Sequence, residues 1–107
     1  MAAADVVAHC SRRPEPLGLV VPEAMALGRA VVATRTLGPE EVIDDGVTGI
    51  LTDPEDDAGL AAAVAGLLAD RANREAMGAA AAAAIRSDWS ATAMAERFAR
   101  ALHELVA

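Results

Sequence analysis

The sequence predicts an α/β fold, a small parallel sheet between helices that ends in a helical tail. Three observations carry this. Short apolar runs at 5–9, 30–34 and 49–52 each have strand length and are bounded by turn residues. Stretches with helical spacing alternate with them. Strands alternating with helices call for parallel pairing with crossover helices.

The elements follow in order. Asp5-Val6-Val7-Ala8-His9 is a buried strand. Arg12-Arg13-Pro14-Glu15-Pro16 is a loop, because each proline disfavours the helical conformation in the residue before it. A helix runs from Gly18 to Leu27, with Gly28 just past its end. Pro22 fits that helix only in its first turn, where its missing N–H costs nothing. Ala30 to Thr34 is the second strand. Leu37 to Ile43 gives a loop and one or two helical turns. Asp44-Asp45-Gly46 and Thr48-Gly49 are turn signals before a third strand, Gly49 to Thr52.

Asp53-Pro54-Glu55-Asp56-Asp57 opens a helix whose acidic residues suit the positive end of its dipole. These carboxylates read as caps rather than as metal ligands. Leu60, Val64, Leu67 and Leu68 form its apolar stripe. An alanine-rich helix follows from Arg71 to Arg86. A last amphipathic helix from Ser90 to Val106 carries Met94, Phe98, Leu102 and Leu105 on one face, with Trp89 and Phe98 as anchors. Met25 and Met94 are core positions.

Composition bounds the function. The chain has 107 residues, enough for one small domain. Its net charge is −7, with 16 acidic and 9 basic residues, and every basic residue is arginine. Such a surface argues against nucleic acid and against anionic membranes. Cys10 is the one cysteine, which excludes an intrachain disulfide and a cysteine-rich zinc site. Neither a membrane-spanning run nor a basic, apolar leader is present, so the expected location is the cytoplasm. About a quarter of the chain is alanine, and aromatic residues make up 2%, so the core rests on Val, Leu, Ile and Met.

The chemistry concentrates between Arg12 and Gly28. Glu15 and Glu23 are separated by seven residues, with Gly18 at the helix start between them. One carboxylate lies in the loop and the other about a turn inside the helix. The N–H groups of Gly18 and Leu19 belong to a helix N-terminus, which suits an anion such as a diphosphate. An ionised carboxylate accepts hydrogen bonds from vicinal hydroxyls. A phosphate-binding turn flanked by two such carboxylates is the set of groups a nucleotide sugar needs. A plainer reading also fits: a solvated loop glutamate and a helix-face glutamate. His9 reads as a satisfied strand-end histidine, His103 as a surface residue, and Cys10 as a buried or half-buried thiol. Arg12 and Arg13 suit a phosphate, an acceptor or a solvated loop equally.

In its ordered motifs the sequence resembles the donor-binding half of GT-B-fold retaining glycosyltransferases, family 4, also called glycosyl transferases group 1. These motifs are Glu15-x7-Glu23, Glu23-Ala24-Met25-Ala26-x-Gly28, Val31-Val32-Ala33-Thr34, Glu41-Val42-Ile43, Asp45-Gly46-x-Thr48-Gly49 and the Asp53-Pro54 helix start. The resemblance implies a partial Rossmann-like, three-layer parallel sheet, the C-terminal half of a GT-B donor domain. It implies that residues 1–107 form an incomplete donor-binding domain without the acceptor-binding N-terminal domain.

By the same resemblance, Glu15 takes the catalytic position at the donor-sugar hydroxyls. Leu17, Gly18 and Leu19 offer backbone amides to the sugar and diphosphate, and Glu23 accepts from the ribose hydroxyls. The donor is a UDP-, GDP- or ADP-sugar, with no metal. Leu37 departs from the first of two glycines common in the family, and Gly38 keeps the second. Cys10 replaces a frequent proline and Pro22 a frequent leucine. The family's diphosphate-binding Arg and Lys lie upstream of any residue here. The expectation is therefore donor binding without turnover by this chain alone. The alternatives are a non-catalytic nucleotide-sugar module, or an assembly piece pairing through an open sheet edge with the missing half or with itself.

Overall fold

The computed structural model describes residues 6–10, 20–88 and 91–106. Three parallel strands form one sheet in the order β1-β2-β3: β1 Val6–His9, β2 Ala30–Thr34 and β3 Ile50–Thr52. Val6 pairs with Ala30 and His9 with Ala33, while Val32 pairs with Ile50 and Thr34 with Thr52. All three strands fall where the apolar runs predict them. The central strand β2 is buried along its whole length, as a continuous apolar run with helices on both faces requires.

Alternation along β2 sorts the core into two layers. Val31 and Ala33 face Val21, Ala24 and Met25 of helix α1 (Val20–Ala26), with Val42 from α2 (Leu37–Val42) and Ile43 just after it. Ala30 and Val32 face the other way, toward Leu67 of α3 (Asp57–Ala69). Helix α4 (Arg71–Asp88) joins both layers, Met77 to the second and Ala81 and Ile85 to the first. The fold is thus the predicted three-layer α/β arrangement, followed in the chain by the C-terminal helix α5 (Ala91–Val106).

Local signals explain the boundaries. Pro22 sits in the first turn of α1, where it can be buried without losing a helix hydrogen bond. The helix ends in a Schellman arrangement. Gly28 takes φ +73°, its N–H donates to Met25 O, and the Arg29 N–H reaches back to Ala24 O. Helix α3 starts later than the acidic run suggests. Asp53 to Asp56 first forms a turn, closed by the Asp56 N–H donating to Asp53 O at 3.1 Å, with Glu55 at φ 74°. Asp56 then caps the helix by accepting from the Gly59 N–H at 2.9 Å.

Two apolar expectations need correction. Leu67 is buried but Leu68 is 54% exposed, because adjacent residues on a helix point about 100° apart and only one can face the sheet. Phe98 and Leu102 are exposed on α5, since no described element packs extensively against that helix. Trp89 and the side chains of Met94 and Leu105 lie outside the described residues. No described helix is long and apolar enough to cross a membrane.

Candidate functional site

In an open parallel sheet, ligands bind beyond the carboxyl ends of the strands. Here β1 ends at His9, with Cys10 after it, and the chain enters α1 at Val20. Glu15, Leu17, Gly18 and Leu19, like Arg12 and Arg13, lie outside the described residues. Of the predicted site residues, the structure therefore locates Glu23 alone. It lies in the first turn of α1, exposed, between the buried pair Val21 and Pro22 and the buried pair Ala24 and Met25. Burying those four side chains holds the carboxylate of Glu23 on the outer face of the helix. Cys10 is exposed, which corrects the expectation of a buried or half-buried thiol. Its strand has already ended at His9.

The carboxyl ends of β2 and β3 are tied together by charge. The Arg35 N–H donates to Thr52 O, extending the parallel pairing by one residue. The Arg35 guanidinium lies 3.3 Å from the Asp45 carboxylate and 3.6 Å from that of Asp53. Asp45 also accepts the buried Leu51 N–H at 2.9 Å. Upstream, the Thr48 hydroxyl accepts from the Asp44 N–H at 2.8 Å, and Gly46 supplies φ +85°. The Asp-Gly-x-Thr-Gly motif is thus a built turn that delivers the chain into β3 in register. These carboxylates are structural: Asp45 and Asp53 face an arginine, and Asp56 caps a helix.

Sequence reading alone missed Thr36. It follows β2, takes an extended conformation (φ −128°, ψ 170°) and serves as the N-cap of α2. Its hydroxyl makes no capping bond and is buried without a hydrogen-bond partner. It therefore marks a polar group on the carboxyl side of the sheet, next to α1, which packs against α2. The signal was present as a threonine one residue before the expected Leu37 turn.

The profile of the glycosyl transferases group 1 family matches residues 1–84. The chain belongs to that family. It is 49% identical over 76 residues, or 71% of its length, to the D-inositol 3-phosphate glycosyltransferase of Corynebacterium kroppenstedtii. It spans 17% of that relative's length. Its fold overlays 98% of the chain on the Anabaena protein HepE in complex with UDP-glucose (TM-score 0.76, 32% identity, 28% of that protein). It overlays 97% on the sucrose-phosphate synthase of Thermosynechococcus elongatus (TM-score 0.80, 32% identity, 26% of that protein). The α/β architecture is accordingly that of GT-B glycosyltransferases. Within the family pattern, Glu23 opens the Glu-Ala-Met-Ala stretch whose core-facing half is the buried Ala24 and Met25.

Proposed function

We propose that this chain is the donor-side part of a glycosyltransferase that transfers a sugar from a nucleotide sugar with retention. The family match across 1–84, with Glu23 held outward on α1, carries this reading. The relative HepE was solved with UDP-glucose, which supports a nucleotide sugar as the ligand class.

In this reading Glu15 accepts from donor-sugar hydroxyls beside the transferring carbon. Backbone amides of Leu17, Gly18 and Leu19 meet the sugar and diphosphate. Glu23 accepts from the ribose hydroxyls. The start of α1 offsets negative charge as the diphosphate departs, which is electrostatic stabilisation of the leaving group. No metal takes part. An acceptor must still be held against the anomeric carbon, and that alignment supplies much of the rate. Residues outside this chain provide it, so the chain alone binds donor without turnover.

Calorimetric titration with UDP-, GDP- and ADP-glucose tests the proposal. The expected result is saturable binding to at least one of them, weakened about tenfold by Glu23→Ala. Because Glu23 is exposed, that substitution leaves folding intact. No binding at about 10 mM of any donor overturns the reading. Binding unchanged in Glu23→Ala overturns the ribose assignment.

A second reading, an assembly piece, rests on β1. Among the described residues it is an edge strand, with Ala8 exposed and its neighbours half-buried, in a sheet type that normally covers both faces. A clean monomer in sedimentation at high concentration removes it.

A further inference from the structure

Thr36 is engaged through its main chain and idle through its side chain. Its N–H donates to Thr34 O at 2.9 Å, and its carbonyl oxygen accepts from the Glu40 N–H at 3.0 Å. Its hydroxyl stands where a helix cap would use it, yet it caps nothing. A capping oxygen accepts from the N–H of the second or third helical residue. The third residue of α2 is the buried Pro39, which has no N–H to offer. Thr36 is only 9% exposed, and its hydroxyl oxygen is buried without a partner. Such a group costs folding free energy that a valine of the same shape would not. It calls for a state of the protein in which it is bonded.

Place and surroundings point to that state. Thr36 lies just past the carboxyl end of the central strand β2, the end at which open parallel sheets bind ligands. It opens α2, which packs against α1, the helix that holds Glu23 outward. The layer between those helices is apolar, built from Val21, Met25, Val42 and Ile43. Arg35, the cation next in sequence, lies at ion-pair distance from Asp45 and Asp53. An anion meets no free counter-charge in such a layer, whereas a neutral hydroxyl both gives and takes a hydrogen bond with threonine.

We propose that the Thr36 hydroxyl is a sugar contact of the donor site. One rotation about χ1 exchanges its hydroxyl and methyl positions and presents the hydroxyl to a hydroxyl of the bound sugar. This rests on the nucleotide-sugar reading, and within it Thr36 selects for the sugar rather than for the nucleotide.

Thr52 supplies a control. Its hydroxyl is also buried without a partner, but alternation along β3 puts it on the face of Ile50, toward α3 and away from α1. Calorimetric titration of the full chain compares UDP-glucose with UDP, and likewise the GDP and ADP pairs. Thr36→Val should weaken the nucleotide sugar about fivefold and leave the nucleoside diphosphate unchanged. Without ligand, its urea midpoint should be no lower than that of the native chain. Thr36→Ser should keep native affinity for the sugar, and Thr52→Val should leave both ligands unchanged. Native affinity in Thr36→Val overturns the proposal. So does a loss shared equally by both ligands, or by Thr52→Val. A lower ligand-free midpoint in Thr36→Val also overturns it, because the hydroxyl then has its partner inside the fold. These outcomes remove the sugar contact alone; a native chain that binds no nucleotide sugar removes the donor reading and this proposal with it.

Discussion

Gly28 and Gly78 meet backbone to backbone: the carbonyl oxygen of Gly28 occupies the space that a Cβ on Gly78 would fill. The end of α1 and helix α4 pack closely at this point because Gly78 carries no side chain. Gly78→Ala forces the two helices apart, since the obstacle is backbone. The expected cost is about 1–3 kcal/mol, read as a lower urea midpoint. Gly66 in α3 is the control. A Cβ there meets nothing within 4 Å, so Gly66→Ala should stabilise by about 0.5–1 kcal/mol through helix propensity.

Asp45 and Arg35 form an ion pair, yet removing each should cost differently. Asp45→Ala strands the buried Leu51 N–H and should destabilise by about 1–3 kcal/mol. Arg35→Ala removes only ion pairs whose members are 39% to 77% exposed. Its effect should stay within about 1 kcal/mol. Equal losses in chemical denaturation would refute this division of labour.

Glu55 holds φ 74° in the turn ahead of α3, with Pro54 before it, the pattern of a type II turn. A left-handed conformation costs a side chain about 1–2 kcal/mol, and glycine's extra freedom when unfolded takes back about 0.5–1 kcal/mol. Glu55→Gly should therefore raise stability by about 0.5–1 kcal/mol on those figures. A fall in the melting temperature would contradict it.

The hydrogen bond from Arg71, and the charges of Arg71 and Arg74, hold the Glu75 carboxyl below its ordinary value of 4.5. A depressed folded pKa gives stability that is present above the ordinary value and lost as pH falls through the depressed one. The pair is largely exposed, so the effect is small. Native chain and Glu75→Gln should differ slightly near neutral pH and converge in acid. A gap that widens below pH 4.5 would refute the assignment.

Much of this architecture is legible in the sequence. The run Ala30 to Thr34 reads as a strand because every residue is apolar or β-branched, and it proves to be the buried centre of the sheet. Gly28 reads as a helix end because no other residue adopts its backbone conformation so cheaply. The start of α3 is less legible. Pro54 and the acidic run suit a first helical turn as well as a separate turn, and the left-handed Glu55 decides between them. Leu68 fails because adjacent leucines cannot share one helix face. The Arg35–Asp45 pair is invisible because it exists only once β2 and β3 lie side by side. At the candidate site the motif singles out Glu23, which the structure places exposed in the first turn of α1, whereas Thr36 carries no pattern beyond its place before a turn.

Helix α4 has a thermal consequence. It is built largely of alanine, and two of its residues in the core, Ala81 and Ala82, hold it through close approach rather than through bulk. Unfolding such a seam exposes less apolar surface per residue than parting leucine-rich helices does. The heat-capacity increment on melting scales with that surface. Calorimetry should accordingly return a smaller increment than is usual for 107 residues. The stability curve would then be broad and shallow, changing little from cold to warm.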